Sequence, residues 1–248
     1  MADLHIHSTL SPCGSLEMAP KAIVNKAKEK GINLIAVTDH NSFENAYYVE
    51  KAAKSAEIFA FYGMEVQSRE EVHVLAIFDI YDKLEAFGKI VYENLPFVPN
   101  NPEFFGDQVV VDENDEIIRF EEKLLINSVS LSLEEVVDLI KEHDGLAILS
   151  HVNASHFSII SQLGFVPEGL KVDALEVKYD TKPEEIESLG IYKNYPVITS
   201  SDAHYLKDIG RGYTIFEMEK PTLVEIRKAL SRLENRNYSA FGKHGRIL

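Results

Sequence analysis

Residues 2–7 read Ala2-Asp3-Leu4-His5-Ile6-His7, and their strict alternation sets the start of the fold. Leu4 and Ile6 fall on one face of this segment and the polar residues fall on the other, which is typical of a β-strand. An amphipathic helix pattern follows, and then a second apolar run at residues 34–38 that ends at Asp39-His40. This succession predicts two parallel strands joined by a crossover helix.

Further apolar runs of strand length follow, with helix-like segments between most of them, at residues 59–66, 72–78, 146–150, 172–178, 196–200 and 213–217. Repeated β–α units build a mostly parallel sheet. Over 248 residues such a sheet closes, or nearly closes, into a barrel. We therefore predict an α/β fold of the barrel type.

The alternation of strands and helices is interrupted between about residues 80 and 130. Three prolines stand between residues 96 and 102. Two apolar stretches, residues 109–111 and 117–118, flank an acidic turn-forming segment and predict a β-hairpin. Because this stretch is too small and polar to form its own core, we interpret residues 80–130 as an inserted loop and hairpin segment.

The chain length predicts a single barrel domain, which we place at residues 1–234. Residues 235–248 show no periodicity and are expected to form a C-terminal tail. The chain lacks the basic and apolar segments of a signal peptide at its start. Cys13 is the single cysteine, which excludes an intramolecular disulfide and favours a reducing, cytoplasmic location.

The composition is that of a soluble globular protein, with 45% hydrophobic and 26% charged residues. The 25 basic residues are outnumbered by 40 acidic ones, which gives a net charge of −15. A surface of this charge repels phosphate backbones and anionic lipids. We therefore expect neither a long nucleic acid nor a membrane as partner.

Six of the nine histidines lie within or just beyond predicted strands, namely His5, His7, His40, His73, His151 and His204. The carboxyl ends of barrel strands converge on one mouth, so these imidazoles are predicted to meet there. His73 starts its strand, so that strand either runs opposite to its neighbours or is misregistered. Taken alone, His40 and His151 are more typical of ordinary polar strand ends than of ligands, whereas the pair His5 and His7 is equally compatible with either role.

Glu65 and Asp202 also follow apolar strands and complete a set of eight imidazole and carboxylate groups. This mixture suits Zn²⁺, Mn²⁺ or iron, and the near absence of cysteine argues against a structural thiolate site. Eight ligands exceed the needs of one ion. We therefore predict two or three divalent metal ions.

This ordered set of motifs resembles the PHP family, the polymerase and histidinol phosphatase-like metal-dependent phosphoesterases. The resemblance covers residues 3–212 apart from the insertion, and its motifs are His5-Ile6-His7-Ser8, Thr38-Asp39-His40, Gly63-Met64-Glu65-Val66, His73, Ser150-His151 and Ser201-Asp202-Ala203-His204. It implies a distorted, TIM-like (β/α)7 barrel, up to three metals and phosphoester hydrolysis. It also implies three metal sites: His5, His7, Glu65 and Asp202; Glu65, His73 and His151; and His40 with His204.

One motif departs from the family. Many members carry a Ser-Asp-Gly that contributes to the third site, where this chain has Ser11-Pro12-Cys13-Gly14. Glu17 and Cys13 both follow the first strand and are the candidates to complete this site. We favour Glu17, although a carboxylate at the start of a helix also has a purely electrostatic role there.

The ligand set implies that a metal-activated hydroxide attacks a small phosphorylated substrate, with Asp202 and His204 assisting proton transfer. A phosphate also requires fixed cations, and Arg211, Lys178 and Arg69 are the candidates, in that order. Two alternatives remain open. An amidohydrolase-type metal hydrolase also uses His-x-His on a first strand, and a non-catalytic regulatory PHP module would keep the fold alone.

Overall fold

The structure is a computed structural model that describes residues 1–190 and 194–247. Its strands are β1 (Ala2–Ile6), β2 (Leu34–Val37), β3 (Phe59–Gln67), β4 (His73–Phe78), β5 (Val109–Val111), β6 (Ile117–Phe120), β7 (Leu146–Leu149), β8 (Ala174–Val177), β9 (Val197–Thr199), β10 (Tyr213–Glu217), β11 (Asn237–Gly242) and β12 (Gly245–Arg246). Its helices are α1 (Pro20–Glu29), α2 (Glu44–Ser55), α3 (Tyr81–Asn94), α4 (Pro102–Phe105), α5 (Leu133–Glu142), α6 (Ile159–Leu163), α7 (Pro183–Leu189) and α8 (Leu223–Leu230).

Ten of the strands form one curled sheet in the order β12-β11-β10-β1-β2-β3-β4-β7-β8-β9. The wall from β1 to β9 contains seven strands, and β9 returns to the β1 side. There the Thr199 N–H donates to Thr214 Oγ1 at 3.1 Å, and the His7 N–H donates to the carbonyl of Ala203 at 2.9 Å. The predicted α/β fold, a distorted TIM-like barrel, is confirmed.

One wall strand runs against the others. β4 pairs antiparallel with both β3 and β7, whereas the remaining neighbouring pairs from β1 to β9 are parallel. The β3–β4 hairpin places His73 opposite Gln67. The first residue of β4 therefore lies at the same end of the barrel as the carboxyl ends of its neighbours, which resolves the ambiguity about His73.

The helices form where the sequence supplies starts and apolar faces. α1 begins with Pro20 in its first turn and buries Ile23, Val24 and Ala27. α5 begins with the predicted capping box, in which Ser132 Oγ accepts the Glu135 N–H and the Glu135 carboxylate accepts the Ser132 N–H. Both helices pack their apolar faces on the outside of the sheet, α5 in the largest buried cluster and α1 in a smaller one.

The inserted segment is shorter than expected. Within residues 80–130, the first part forms α3, which buries Leu84, Phe87 and Val91 against the sheet. The predicted hairpin is present as β5 and β6. The spacing of the three buried residues is helical, and α3 is one of the helices that pack on the barrel wall. The inserted segment is therefore confined to residues 95–131.

The reversed direction of β4 determines where this segment lies. At one end of α3, Lys83 Nζ lies 2.9 Å from Asp144 Oδ2, just beyond α5. At the other end, the Ser130 N–H donates to the carbonyl of Asn94 at 2.9 Å. The Val129 N–H donates to the backbone carbonyl of Gln67, also at 2.9 Å. Both ends of the 95–131 segment therefore lie near the mouth end of β3.

The C-terminal region differs from the expected tail. Within residues 235–247, β11 pairs antiparallel with β10 and β12 extends the sheet; Leu248 lies outside the described residues. Tyr238 and Ala240 are buried, whereas Asn237 and Ser239 are half-buried. This alternation was obscured by its small and polar residues. No helix in the described part of the chain is long and apolar enough to cross a membrane.

Candidate metal centre

The mouth of the barrel gathers all eight candidate ligands. They come from β1 and its end (His5, His7), the end of β2 (His40), β3 (Glu65), β4 (His73), the end of β7 (His151) and the end of β9 (Asp202, His204). Six of these side chains are buried, whereas the side chains of Asp202 and His204 are 37% and 25% exposed. The centre is therefore open to solvent on the side of Asp202 and His204.

Glu65 lies at the middle of the cluster. Its Oε1 is 3.2 Å from His5 Nε2 and 3.1 Å from His73 Nδ1, and its Oε2 is 3.1 Å from His40 Nδ1. His151 Nε2 lies 3.4 Å from Oε1. One carboxylate thus contacts imidazoles from four different parts of the wall, the arrangement required of a group shared between two ions.

A second carboxylate approaches the same histidines. Asp202 Oδ1 lies 3.4 Å from both His5 Nε2 and His7 Nε2, which are 3.2 Å from each other. Within the described residues, three groups have all their ligand atoms within 4.8 Å, and these are His5, His7 and Glu65; His40, Glu65 and His73; and His7, His40 and His204.

Within the described residues, Nδ1 of His40, Nδ1 of His73 and Oε1 of Glu65 are buried and make no hydrogen bond of normal geometry, although each lies about 3.1 Å from a neighbouring atom of the cluster. A buried polar atom without a partner costs about 1–3 kcal/mol. Lone pairs aimed at a common centre match the needs of a cation, and N and O donors suit divalent transition metals. The side chains therefore fit a divalent metal centre.

The pKa values of several groups favour the protonation states that metal binding requires. Burial raises the pKa of Glu65, but His73 and His5 outweigh this effect and hold it well below its ordinary value. Burial lowers the pKa of His73 to about 4, although Glu65 opposes it. Burial and the neighbouring His204 lower the pKa of His7 well below its ordinary value. These groups are a carboxylate and two neutral imidazoles at neutral pH.

His5 behaves differently because negative charge surrounds it. Burial lowers its pKa, but the carboxylates of Glu176, Glu65 and Asp202 outweigh burial and raise the pKa well above its ordinary value. The excess negative charge that retains a proton here also favours a cation in its place.

Glu176 supports the centre and was missed in the sequence. It is buried on β8, and its Oε2 accepts the His5 Nδ1–H at 2.8 Å and the His151 N–H at 3.2 Å. This bond fixes the His5 ring with Nε2 directed at Glu65. The available signal was a carboxylate within the apolar run Ala174-Leu175-Glu176-Val177.

Asp202 sits in a turn that is held from two sides. Its backbone is left-handed, with φ +48°, a conformation that Asp adopts more readily than most residues. The Ser201 N–H donates to Asp3 Oδ1 at 2.9 Å. Arg211 Nε donates to the carbonyl of Ser201 at 2.7 Å, and its Nη2 donates to that of Asp202 at 3.0 Å.

The three expected phosphate-binding cations lie in different surroundings. Arg211 donates its hydrogen bonds to the Asp202 turn. Its guanidinium also stacks 4.2 Å from the Tyr179 ring centre, and its Nη1 lies 3.4 Å from Asp208. Lys178 lines a cavity that opens above the metal centre, and its Nζ lies 3.4 Å from Asp180. Arg69 is 62% exposed beside Glu70 and does not line that cavity.

The two candidates for the third site are also separated. Glu17 is exposed, and its N–H donates to Ser15 Oγ at 3.2 Å. Cys13 lines the cavity. Partial desolvation raises the pKa of its thiol, but the charges and hydrogen bonds of His40 and His204 outweigh this and lower the pKa to about 6. The structure therefore brings Cys13, and not Glu17, to these imidazoles.

A cavity of about 400 Å³ opens above the centre. Besides Glu65, Asp202 and four of the histidines, its lining residues include Cys13, Ile126, His156, Phe157 and Lys178. A volume of this size is typical of sites that bind small molecules or a single unit of a polymer.

Comparison with known proteins identifies the family. A sequence model described as PHP domain matches residues 3–162, and one described as PHP-associated matches residues 192–235. An uncharacterised protein of Methanocaldococcus jannaschii is 27% identical over 185 residues, which cover 71% of this chain and 80% of the relative. A proposed metal-dependent phosphoesterase of Bifidobacterium adolescentis has a TM-score of 0.58 and 17% identity, over 94% of this chain and 96% of its own.

Endonuclease Q of Pyrococcus furiosus has the same fold, with a TM-score of 0.73 and 22% identity. The match covers 96% of this chain but only 57% of the endonuclease. A complex of endonuclease Q with a 27-mer duplex that carries an abasic lesion at the active site matches with a TM-score of 0.72 and 23% identity, over 95% of this chain and 57% of that one.

This complex corrects the expected partners. The expectation that excludes a long nucleic acid is wrong, because a protein of this fold binds a 27-mer duplex, and the comparisons do not confirm a small phosphorylated substrate. Net charge describes the whole surface, whereas binding depends on the local field at the cleft. The fold, the ligand cluster and the match over more than half of the sequence lead to one conclusion: the chain belongs to the PHP family of metal-dependent phosphoesterases.

Proposed function

We propose that this chain hydrolyses phosphoester bonds of nucleic acids at a centre of two or three divalent ions. The observation that carries the proposal is the position of Glu65, whose two carboxylate oxygens contact imidazoles from four parts of the barrel wall within 3.4 Å. The fold shared with a nuclease that holds a duplex at its active site favours a nucleic acid as substrate.

We propose three ligand sets. Asp202 joins His5, His7 and Glu65 in the first, and His151 joins Glu65 and His73 in the second. Cys13 joins His40 and His204 in the third. Divalent Zn, Mn or Fe ions, when bound, supply positive charge that lowers the pKa of water and stabilises developing charge on phosphoryl oxygens. Six of the proposed ligands are buried, and four of these six, His40, Glu65, His73 and His151, line the cavity.

The partly exposed residues of the centre are the proposed proton carriers. Asp202 and His204 reach the cavity, and His204 Nδ1 lies 3.1 Å from the carbonyl of Asp202, which fixes the ring relative to the carboxylate. Together they are positioned to take a proton from the attacking water and return it to the leaving oxygen. Lys178, which lines the same cavity, is the proposed cation for the substrate phosphate.

The proposal is tested with protein reconstituted with Zn²⁺, Mn²⁺ or Fe²⁺ and offered a panel of phosphoesters. The panel contains intact duplexes, duplexes with an abasic site, single strands and terminal phosphates, together with amides and lactones. We expect cleavage of a nucleic-acid phosphoester that disappears on chelation. Hydrolysis of amides or lactones alone would assign the amidohydrolase alternative. No turnover by protein with its full metal content would indicate a non-catalytic module.

A variant pair tests which residue completes the third ligand set. We expect Cys13→Ser to lower metal content by one ion per chain, whereas Glu17→Gln leaves it unchanged, because Cys13 lines the same cavity as His40 and His204 and Glu17 does not. Elemental analysis measures the loss. Cobalt substitution adds an independent measure, since a thiolate ligand gives a charge-transfer band that should be absent in Cys13→Ser. Metal loss in Glu17→Gln alone would return the role to Glu17.

A further inference from the structure

Phe157 forms part of the cavity wall beside the metal centre. Its ring stacks on His73, with the ring centres 5.0 Å apart and the planes 6° from parallel. The His73 N–H donates to the carbonyl of Phe157 at 3.0 Å. The residue is nevertheless 41% exposed, so much of the ring remains free on the cavity side.

The backbone of Phe157 is held in an unfavourable conformation. Its φ is +55°, in the left-handed region, which is a genuine outlier for a bulky residue. Such strain persists only where the surroundings impose it, and it is concentrated at functional sites. Here the bond from His73 holds one side, and Ser158 Oγ, which donates to the carbonyl of Ala154 at 2.7 Å, holds the other. The position of the ring is therefore fixed by the loop.

The surroundings of the ring combine apolar and cationic groups. Ile126 from the 95–131 segment and Ala154 line the same cavity, as does Lys178. Glu65 and Asp202 of the metal centre lie within this cavity as well. When the phosphate of a ligand lies at the metal centre, the chemical group next to that phosphate is therefore within reach of the flat Phe157 ring.

We propose that Phe157, together with Ile126, forms a subsite that binds a planar nucleobase next to the scissile phosphate. The inference rests on the proposed function and narrows its substrate to a nucleotide unit whose base is out of the stack and able to enter the cavity. Every base has a π-face, so such a surface selects for a planar group without selecting a sequence. Removal of one stacking partner lowers affinity by about 5-fold to 100-fold.

The first test uses binding and requires no metal. A nucleoside, which has no phosphate, is titrated into the metal-free protein and followed by NMR or calorimetry, with ribose as the comparison. We expect saturable nucleoside binding that Phe157→Tyr retains and Phe157→Leu weakens by about 10-fold. Phe104→Leu is the matched control, since Phe104 is 77% exposed and does not line the cavity.

The second test uses turnover of two matched substrates by the metal-loaded protein: a dinucleotide, and its analogue without the base next to the scissile phosphate. We expect kcat/KM to favour the base-bearing substrate by about 10-fold or more, and Phe157→Leu to remove this preference while the analogue keeps its rate. Equal losses on both substrates, with metal loss, would mean that the ring only shields His73 and would overturn the subsite. Failure to cleave either substrate would contradict the proposed function, while nucleoside binding would still decide the subsite.

Discussion

Replacing Glu65 with glutamine is expected to lower kcat by at least about two to three orders of magnitude and to remove bound metal. Glutamine keeps the volume of the side chain but carries no charge and presents an NH₂ group where Oε1 or Oε2 now lies. Oε1 lies within 3.2 Å of His5 and His73, and Oε2 lies 3.1 Å from His40. Because Glu65 belongs to two of the proposed ligand sets, its replacement is expected to weaken both at once.

Elemental analysis and single-turnover kinetics measure this effect, and circular dichroism verifies the fold. Glu225→Gln is a matched control, since Glu225 is buried on α8 and its Oε2 lies 2.6 Å from Arg236, outside the centre. The control is expected to lose some stability and to keep its metal and turnover. A Glu65→Gln protein with full metal content and near-normal kcat would refute the central role of Glu65.

Arg211→Lys is expected to lower kcat and metal affinity by about 10-fold to 100-fold while leaving KM nearly unchanged. Arg211 holds the carbonyls of Ser201 and Asp202 with two different nitrogens, at 2.7 and 3.0 Å. A lysine ammonium keeps the charge but cannot reproduce this planar fork. The left-handed Asp202 turn would then relax, and its carboxylate would leave its position beside His5 and His7.

The alternative role, direct binding of the substrate phosphate, has the opposite signature. Loss of a phosphate contact raises KM with little change in kcat, and lysine would restore much of the binding. Lys178→Ala provides the comparison, because Lys178 lines the cavity and is expected to show that KM effect. Competition with a chelator measures metal affinity in the unmodified protein, in Arg211→Lys and in Lys178→Ala. An Arg211→Lys protein with raised KM and unchanged metal affinity would return Arg211 to the substrate.

The candidate ligands are recognisable in the sequence because most of them stand at or just beyond a strand end, where a periodic pattern stops. His5 and His7 share a face of β1, and Glu65 interrupts an apolar run. The groups that orient these ligands leave no such pattern. Glu176 lies 171 residues from the His5 that it holds, so only the barrel order brings them together.

Other differences come from properties that residue types do not encode. Arg211 is recognisable as a cation near the mouth, but its partners are backbone carbonyls whose direction depends on the φ of Asp202. The helix α3 was not predicted, because the prolines that follow it led us to interpret the whole of residues 80–130 as an inserted loop segment. The strand β11 was hidden because its inward residues, Tyr238 and Ala240, are few and interspersed with polar ones.

In a regular barrel, the same loops at the mouth hold the metal ligands and shape the substrate site. The reversed strand β4 separates these two roles. Since the chain returns to the mouth through α3 and leaves it through α5, the 95–131 segment is anchored at both ends beside the metal centre. Asn41 Nδ2 donates to the carbonyls of Leu125 and Asn127, and the segment also packs Val110 and Val129 into the main buried core cluster. Exchange of this segment between relatives, together with the core positions that it packs against, should therefore transfer substrate preference, while strand register and metal chemistry stay with the recipient.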